Sequence, residues 1–182
     1  REFTNEAAIY KFAKESGWAT SKTKAKQPKG RDFDLDETQM DAVQFALDRK
    51  FAIINGGAGC GKTTIIKSIC DSLKSDIRLC AFAGKAAARL REATMHPAST
   101  IHRMLGWMGD GNGFAVKTLR GITVILDEAS MVSSDLLAEI VKRNPDRLVL
   151  VGDEAQLPPV GSAFSRASSE SESLISSLSY IF

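Results

Sequence analysis

At 182 residues, the chain has length for one domain of roughly 150 residues and a short arm. Its 43% hydrophobic and 25% charged residues are ordinary globular usage, which excludes wholesale disorder, a collagen-like chain and a disulfide-held miniprotein. The net charge of +2, from 24 basic and 22 acidic residues, is too small to point to nucleic acid by itself. Apolar runs such as ITVIL (122–126) fall far short of the ~20 residues of a membrane helix, so no membrane partner is expected.

Thr4 can cap a helix running to about Ser16, with Ile9, Phe12 and Ala13 at helical spacing. The pattern then dissolves, and Lys22, Lys24, Lys26, Lys29 and Arg31 cluster around Pro28 and Gly30. Residues 1–34 therefore read as a helix and a basic linker, either a solvated tether or an arm on nucleic acid. Asp36 and Gln39 have the spacing of a capping box and open a helix over 37–48, with Met40, Val43 and Leu47 on one face. Next come a strand at 51–55, a helix at 62–74, a strand at 77–83 and a helix at 85–94. Glycines 109, 111 and 113 sit between two short apolar stretches and predict a hairpin over about 106–117. Strands at 122–127 and 147–153 flank a helix at 133–143 whose Leu136, Leu137, Ile140 and Val141 point inward. Strands that alternate with helices and are apolar on both faces predict an α/β fold, three layers around a mostly parallel sheet. Residues 35–182 form that unit.

The sharpest motif is GGAGCGKTT, Gly56 to Thr64, which fits G-x-x-x-x-G-K-[ST] between a strand and a helix. Backbone N–H groups of Gly57, Ala58, Gly59, Cys60 and Gly61 are expected to close around nucleotide phosphates, helped by the helix dipole. Lys62 would reach the β- and γ-phosphates, the Thr63 hydroxyl would ligate Mg²⁺, and Thr64 continues the loop into the helix. Such a loop needs an acid at the tip of another strand. ILDEAS offers Asp127 for the metal shell and Glu128 to polarise the attacking water. LVGDEAQLPPVG repeats the arrangement, with Gln156 beyond a third strand tip as a γ-phosphate sensor, ahead of Pro158 and Pro159.

Cys60, Cys70 and Cys80 form no CxxC pair and have only His96 and His102 as companions, so zinc is not expected and free thiols in a reducing cytoplasm are. The opening REFTNEAAIY has neither an initiator Met nor a basic-then-apolar leader. The chain is read as a piece of a longer cytoplasmic polypeptide.

Taken together, GGAGCGKTT, FAGKAAARL, STIHRML, ILDEASMV and LVGDEAQLPPVG resemble, in order and spacing, the first motor domain of superfamily 1 DNA helicases, nearest the RecD-like branch. The resemblance covers about Leu35 to Phe182. It implies a RecA-like fold and ATP hydrolysis coupled to 5′ to 3′ movement on single-stranded DNA. It makes Gln39 the adenine-reading residue, beside its capping reading. It also makes the hairpin at 106–117 the place of a small subdomain that helps split the duplex. Where relatives usually have proline and threonine before GKAAARL, this chain has Phe82 and Ala83, so a hydroxyl contact to DNA phosphate is missing. Lys85 remains for a phosphate, Phe82 for a base or for the core, and His102 and Arg103 for DNA. Trp107 reads as hairpin packing, and Arg120, Arg143 and Arg147 as solvated. SSLSYIF resembles the lead-in to a second RecA-like domain that would bring arginines to the γ-phosphate, so half the motor is expected elsewhere. A nucleotide-binding module for nucleic acid or protein, without turnover of its own, is the rival reading. A small-molecule kinase or GTPase shares the loop but not the DEAS and GDEAQLPP strings.

Overall fold

The computed structural model describes residues 35–153 and 179–181, together with Lys11, Phe12 and Glu15. The basic linker, most of the predicted N-terminal helix, Gln156 and the two prolines after it lie outside the described residues. Asp36 opens helix α1 (Glu37–Leu47) with a true capping box: its side chain accepts from the Gln39 N–H, and the Gln39 side chain accepts from the Asp36 N–H. Strand β1 (Phe51–Asn55), helix α2 (Lys62–Ser72), strand β2 (Asp76–Ala81) and helix α3 (Gly84–Thr94) follow. Then come strand β3 (Ala98–Thr100), helix α4 (Ile101–Leu105), strand β4 (Ile122–Asp127), a 3-10 turn (Ala129–Met131), helix α5 (Ser134–Lys142), strand β5 (Arg147–Gly152) and strand β6 (Ser179–Ile181).

Six strands make one sheet in the order β3-β2-β4-β5-β1-β6, and every pairing in it is parallel. Period-2 alternation sends each strand's residues to opposite cores. Phe51, Ile53, Val124, Leu126, Leu148 and Leu150 face one core with residues of α4 and α5. Ala52, Ile54, Ile125, Val149 and Val151 face the other with residues of α1 and α2. Both faces of the sheet are therefore dry, as the unbroken apolar runs require. The fold is the expected three-layer α/β arrangement.

Several expectations are corrected. The strand predicted at 77–83 ends at Ala81, because Phe82 turns out of the sheet and is 40% exposed rather than in the core. Met40 is likewise exposed, and the small side chains of Ala42 and Ala46 lie against the sheet in its place. Arg143 and Arg147 are buried, not solvated. Arg147 Nη1 donates to the Ala46 carbonyl at 2.6 Å and to that of Arg49, tying the end of α1 to β5. Arg143 Nε donates to the Val116 carbonyl at 2.6 Å, and its guanidinium lies 5.3 Å from the Phe114 ring centroid. That holds the 106–117 segment against α5. The segment itself is a tight ribbon with one antiparallel bridge, Trp107 to Phe114.

Candidate functional site

In an open parallel sheet, ligands collect at the carboxyl ends of strands, and β1, β5 and β4 lie side by side there. The Gly56 N–H donates to the Gly152 carbonyl at 3.2 Å, so the loop after β1 starts pinned to the end of β5. Gly57, Ala58 and Gly59 are exposed and Cys60 is half-buried. Lys62 opens α2, and its Nζ donates back to the Gly56 and Gly57 carbonyls at 2.7 and 2.6 Å. The ammonium thus lies inside the loop's own curve. Thr63 and Thr64 occupy the first turn of α2, where unpaired N–H groups and the dipole favour an anion.

Gly61 sits at φ +78°, and a Cβ there would collide with Gln39 Nε2. That nitrogen donates to the Cys60 carbonyl at 3.1 Å while Gln39 Oε1 accepts from Asp36 N–H at 3.2 Å. Gln39 is therefore a cap, as one sequence reading had it. It is also a strut between α1 and the phosphate loop, a tie that the sequence spacing did not disclose.

Asp127 ends β4, and its Oδ1 accepts from the Glu128 N–H at 2.9 Å. Burial pushes the Asp127 carboxyl above its ordinary value and the Glu128 charge adds to the rise, while the Glu128 N–H bond and the Lys62 charge oppose it. The Lys62 charge thus acts on the carboxyl at the β4 tip. Glu128 has φ 52°, a left-handed conformation that costs a side-chain-bearing residue free energy. Ser130, just beyond, has a buried hydroxyl without a partner among the described residues.

The raised carboxyl carries a testable sign. Below the unfolded-state value, near pH 4, Asp127 is protonated in both states and its burial costs nothing. As pH rises the unfolded chain gives up the proton first, so stability falls and stays lower above the folded value. Asp127→Asn is expected to raise stability at neutral pH, a gain that closes below about pH 4. Urea unfolding of both proteins at neutral and acidic pH checks this, and a destabilised variant at neutral pH contradicts it.

Phe82, Lys85, His102 and Arg103 are all exposed, and two of the four converge. Phe82 and His102 line a cleft of about 530 Å³ together with Trp107, Phe114 and the Asp135 and Glu139 side of α5. Trp107 packs 4.9 Å from Phe114, centroid to centroid, and is still 44% exposed. Lys85 and Arg103 are outside that lining. Lys142 completes that side of α5, and the face was legible only as the polar side of an amphipathic helix, with Asp135, Glu139 and Lys142 at helical spacing.

Residues 39–162 match the family model described as AAA domain. The chain is 38% identical over 134 residues to the ATP-dependent RecD2 DNA helicase of Deinococcus radiodurans, a match that covers 69% of this chain and 18% of that protein. It is 33% identical over 157 residues to the RecBCD enzyme subunit RecD of Mycolicibacterium smegmatis, covering 68% of this chain and 28% of that one. The chain thus spans less than a third of these relatives' length. A solved structure of the Pif1 helicase from Candida albicans superimposes with a TM-score of 0.61 at 25% identity, over 83% of this chain and 40% of that one. The glycine-rich loop after β1, the paired acids at the tip of β4, the parallel strand order and these likenesses agree, and the chain belongs to the AAA domain family, as an N-terminal RecA-like motor unit of the RecD-like branch of superfamily 1.

Proposed function

We propose that the chain is the ATP-binding half of a DNA helicase motor, in which ATP hydrolysis drives 5′ to 3′ movement along single-stranded DNA. The observation that carries the reading is Lys62 folded back into the strand-to-helix loop after β1, with its Nζ on the Gly56 and Gly57 carbonyls. The likeness to the ATP-dependent RecD2 DNA helicase and to the RecBCD subunit RecD, and to Bacteroides Pif1 bound to single-stranded DNA at 25% identity and a TM-score of 0.56, supports it.

The loop N–H groups and Lys62 bind the triphosphate, with the ammonium exchanging its loop carbonyls for phosphate oxygens. The donor set suits Mg²⁺, since a hydroxyl and one carboxylate, Thr63 and Asp127, leave room for phosphate oxygens and water. When bound there the ion neutralises charge building on the phosphate oxygens. Glu128 takes the proton of the attacking water, and Gln156 reads the γ-phosphate. Gln39 reads adenine through its amide once that amide leaves the Cys60 carbonyl. Phe82, Lys85, His102 and Arg103 meet the DNA strand. Residues 1–34 serve as the N-terminal helix and linker, 35–182 as the motor domain, and a second motor domain belongs to the same parent polypeptide. The three free cysteines fit a cytoplasmic setting, and no helix among the described residues is long and apolar enough to cross a membrane.

Phosphate release from ATP, measured with and without single-stranded DNA in the parent protein, tests the reading. DNA-stimulated release is expected. Equal release in both conditions points to a nucleotide-binding module that does not use DNA as its track.

A further inference from the structure

Two costs meet in the turn that follows the paired acids, and the packing of the fold calls for neither. The first is at Ser130. Four hydroxyl side chains are buried among the described residues, those of Ser68, Thr94, Thr123 and Ser130. Ser68 Oγ donates to the Thr64 carbonyl at 2.9 Å, Thr94 Oγ1 donates to the Leu90 carbonyl at 2.7 Å, and Thr123 Oγ1 shares a bond with the Ser75 hydroxyl at 3.1 Å. Ser130, 1% exposed, is the one whose oxygen has no partner among the described residues. A hydroxyl taken from water and left unpaired destabilises the folded state, and native folds keep few of them.

The second cost is at Glu128. Three residues other than glycine have positive φ among the described residues, Met95, Glu128 and Asn144. Met95 is the C-cap of α3, and the Asn144 N–H closes on the Val141 carbonyl just past α5, so both stand at helix ends, where a left-handed residue is a common stop. Glu128 instead leaves the end of β4 at φ 52° and enters the 3-10 turn Ala129–Met131. Such a conformation is sparsely populated for a residue with a long side chain, and it collects at functional sites. The Met131 N–H donates to the Glu128 carbonyl at 2.9 Å, which places the strained residue and the unpaired hydroxyl in one closed turn. Ala129 and Val132 are buried in the core on either side of Ser130, and the turn packs against β5. Its base is therefore fixed, and the backbone at Glu128 and the hydroxyl at Ser130 are what it has left to change.

We propose that Ser130 is a positioning residue for Glu128: its hydroxyl gains a hydrogen bond when nucleotide occupies the loop, and that bond holds the turn in the conformation that aims the Glu128 carboxylate at the attacking water. In the free chain Glu128 is left-handed and the hydroxyl is unpaired; loading relieves both together. The role rests on the reading of Glu128 as general base and adds the residue that sets it.

Ser130→Ala tests this, because a structural role and a positioning role predict opposite signs for stability. Removing an unpaired buried hydroxyl should raise the melting temperature of the 182-residue chain, by about 2–4 °C. In the parent protein with saturating single-stranded DNA, the variant should bind fluorescent ATP within about 2-fold of the unaltered protein and release phosphate about 10- to 100-fold more slowly, the scale of a misplaced catalytic group. Placed in a Glu128→Gln background it should slow release no further, since it acts only through that carboxylate. A Ser130→Ala chain that melts below the unaltered chain means that the hydroxyl is already bonded before nucleotide arrives, and overturns the proposal. So does undiminished phosphate release, or a further loss on top of Glu128→Gln. Those outcomes leave the motor reading in place, whereas undiminished turnover by Glu128→Gln itself removes the general base and the role of Ser130 with it.

Discussion

Glu128→Gln is expected to bind ATP as tightly as the parent protein and to hydrolyse it about 10²- to 10⁴-fold more slowly, the usual contribution of a positioned general base. In the proposed site the phosphate contacts come from the loop and Lys62, none of which the substitution touches. The amide keeps the volume of the carboxylate and leaves the left-handed backbone at φ 52° as it was. It also removes a negative charge that raises the Asp127 carboxyl, which favours the ionised form of that group. Fluorescent-ATP titration and steady-state phosphate release separate the two effects. A variant that turns over at the parental rate would remove Glu128 from the chemistry.

Joining these residues to a second RecA-like domain is expected to speed phosphate release by about 10³- to 10⁵-fold, the range attributed to an arginine reaching the transferring phosphoryl group. Arg143 is spent on the Val116 and Glu139 carbonyls and on the Glu139 carboxylate. Arg147 is spent on the carbonyls of Ala46 and Arg49. Withdrawing either to serve a phosphate would strip bonds from buried backbone groups, at about 1–3 kcal/mol for each acceptor left unmade. Comparable rates from the 182-residue chain and from a two-domain protein, each saturated with single-stranded DNA, would contradict the split site and require an arginine within this chain.

The loop from Gly56 to Thr64 and the acids that end β4 were legible because their signals are local. A glycine-rich loop between an apolar strand and a helix, with acids ending another apolar run, needs no knowledge of distant contacts to be read. The helices of α1, α2, α3 and α5 were read within a few residues for the same reason, since their apolar positions recur at helical period. What long-range packing decides was not legible. Met40 has the right spacing for the core, yet alanines fill that face. Phe82 continues an apolar run in sequence, yet the sheet ends one residue earlier. Strands β3 and β6 are three residues each, too short to show an alternation, and exist through pairing with β2 and β1. Arg143 and Arg147 look solvated in a string of letters because nothing there reveals which carbonyls await them. Gln39 joins the two kinds: its cap is local and was read, while its bond to the Cys60 carbonyl spans 21 positions and was not.

Equilibrium titration of the 182-residue chain with fluorescent ATP and Mg²⁺, set against Lys62→Ala, tests most directly the claim that Gly56 to Thr64 cradles a nucleotide. Saturable binding by the parent chain, and its loss in the variant by at least about 10-fold, as expected for a charge-assisted contact worth 1.5–3 kcal/mol or more, is the predicted result. Equal affinity of the two proteins, or no binding by the parent chain, would contradict it.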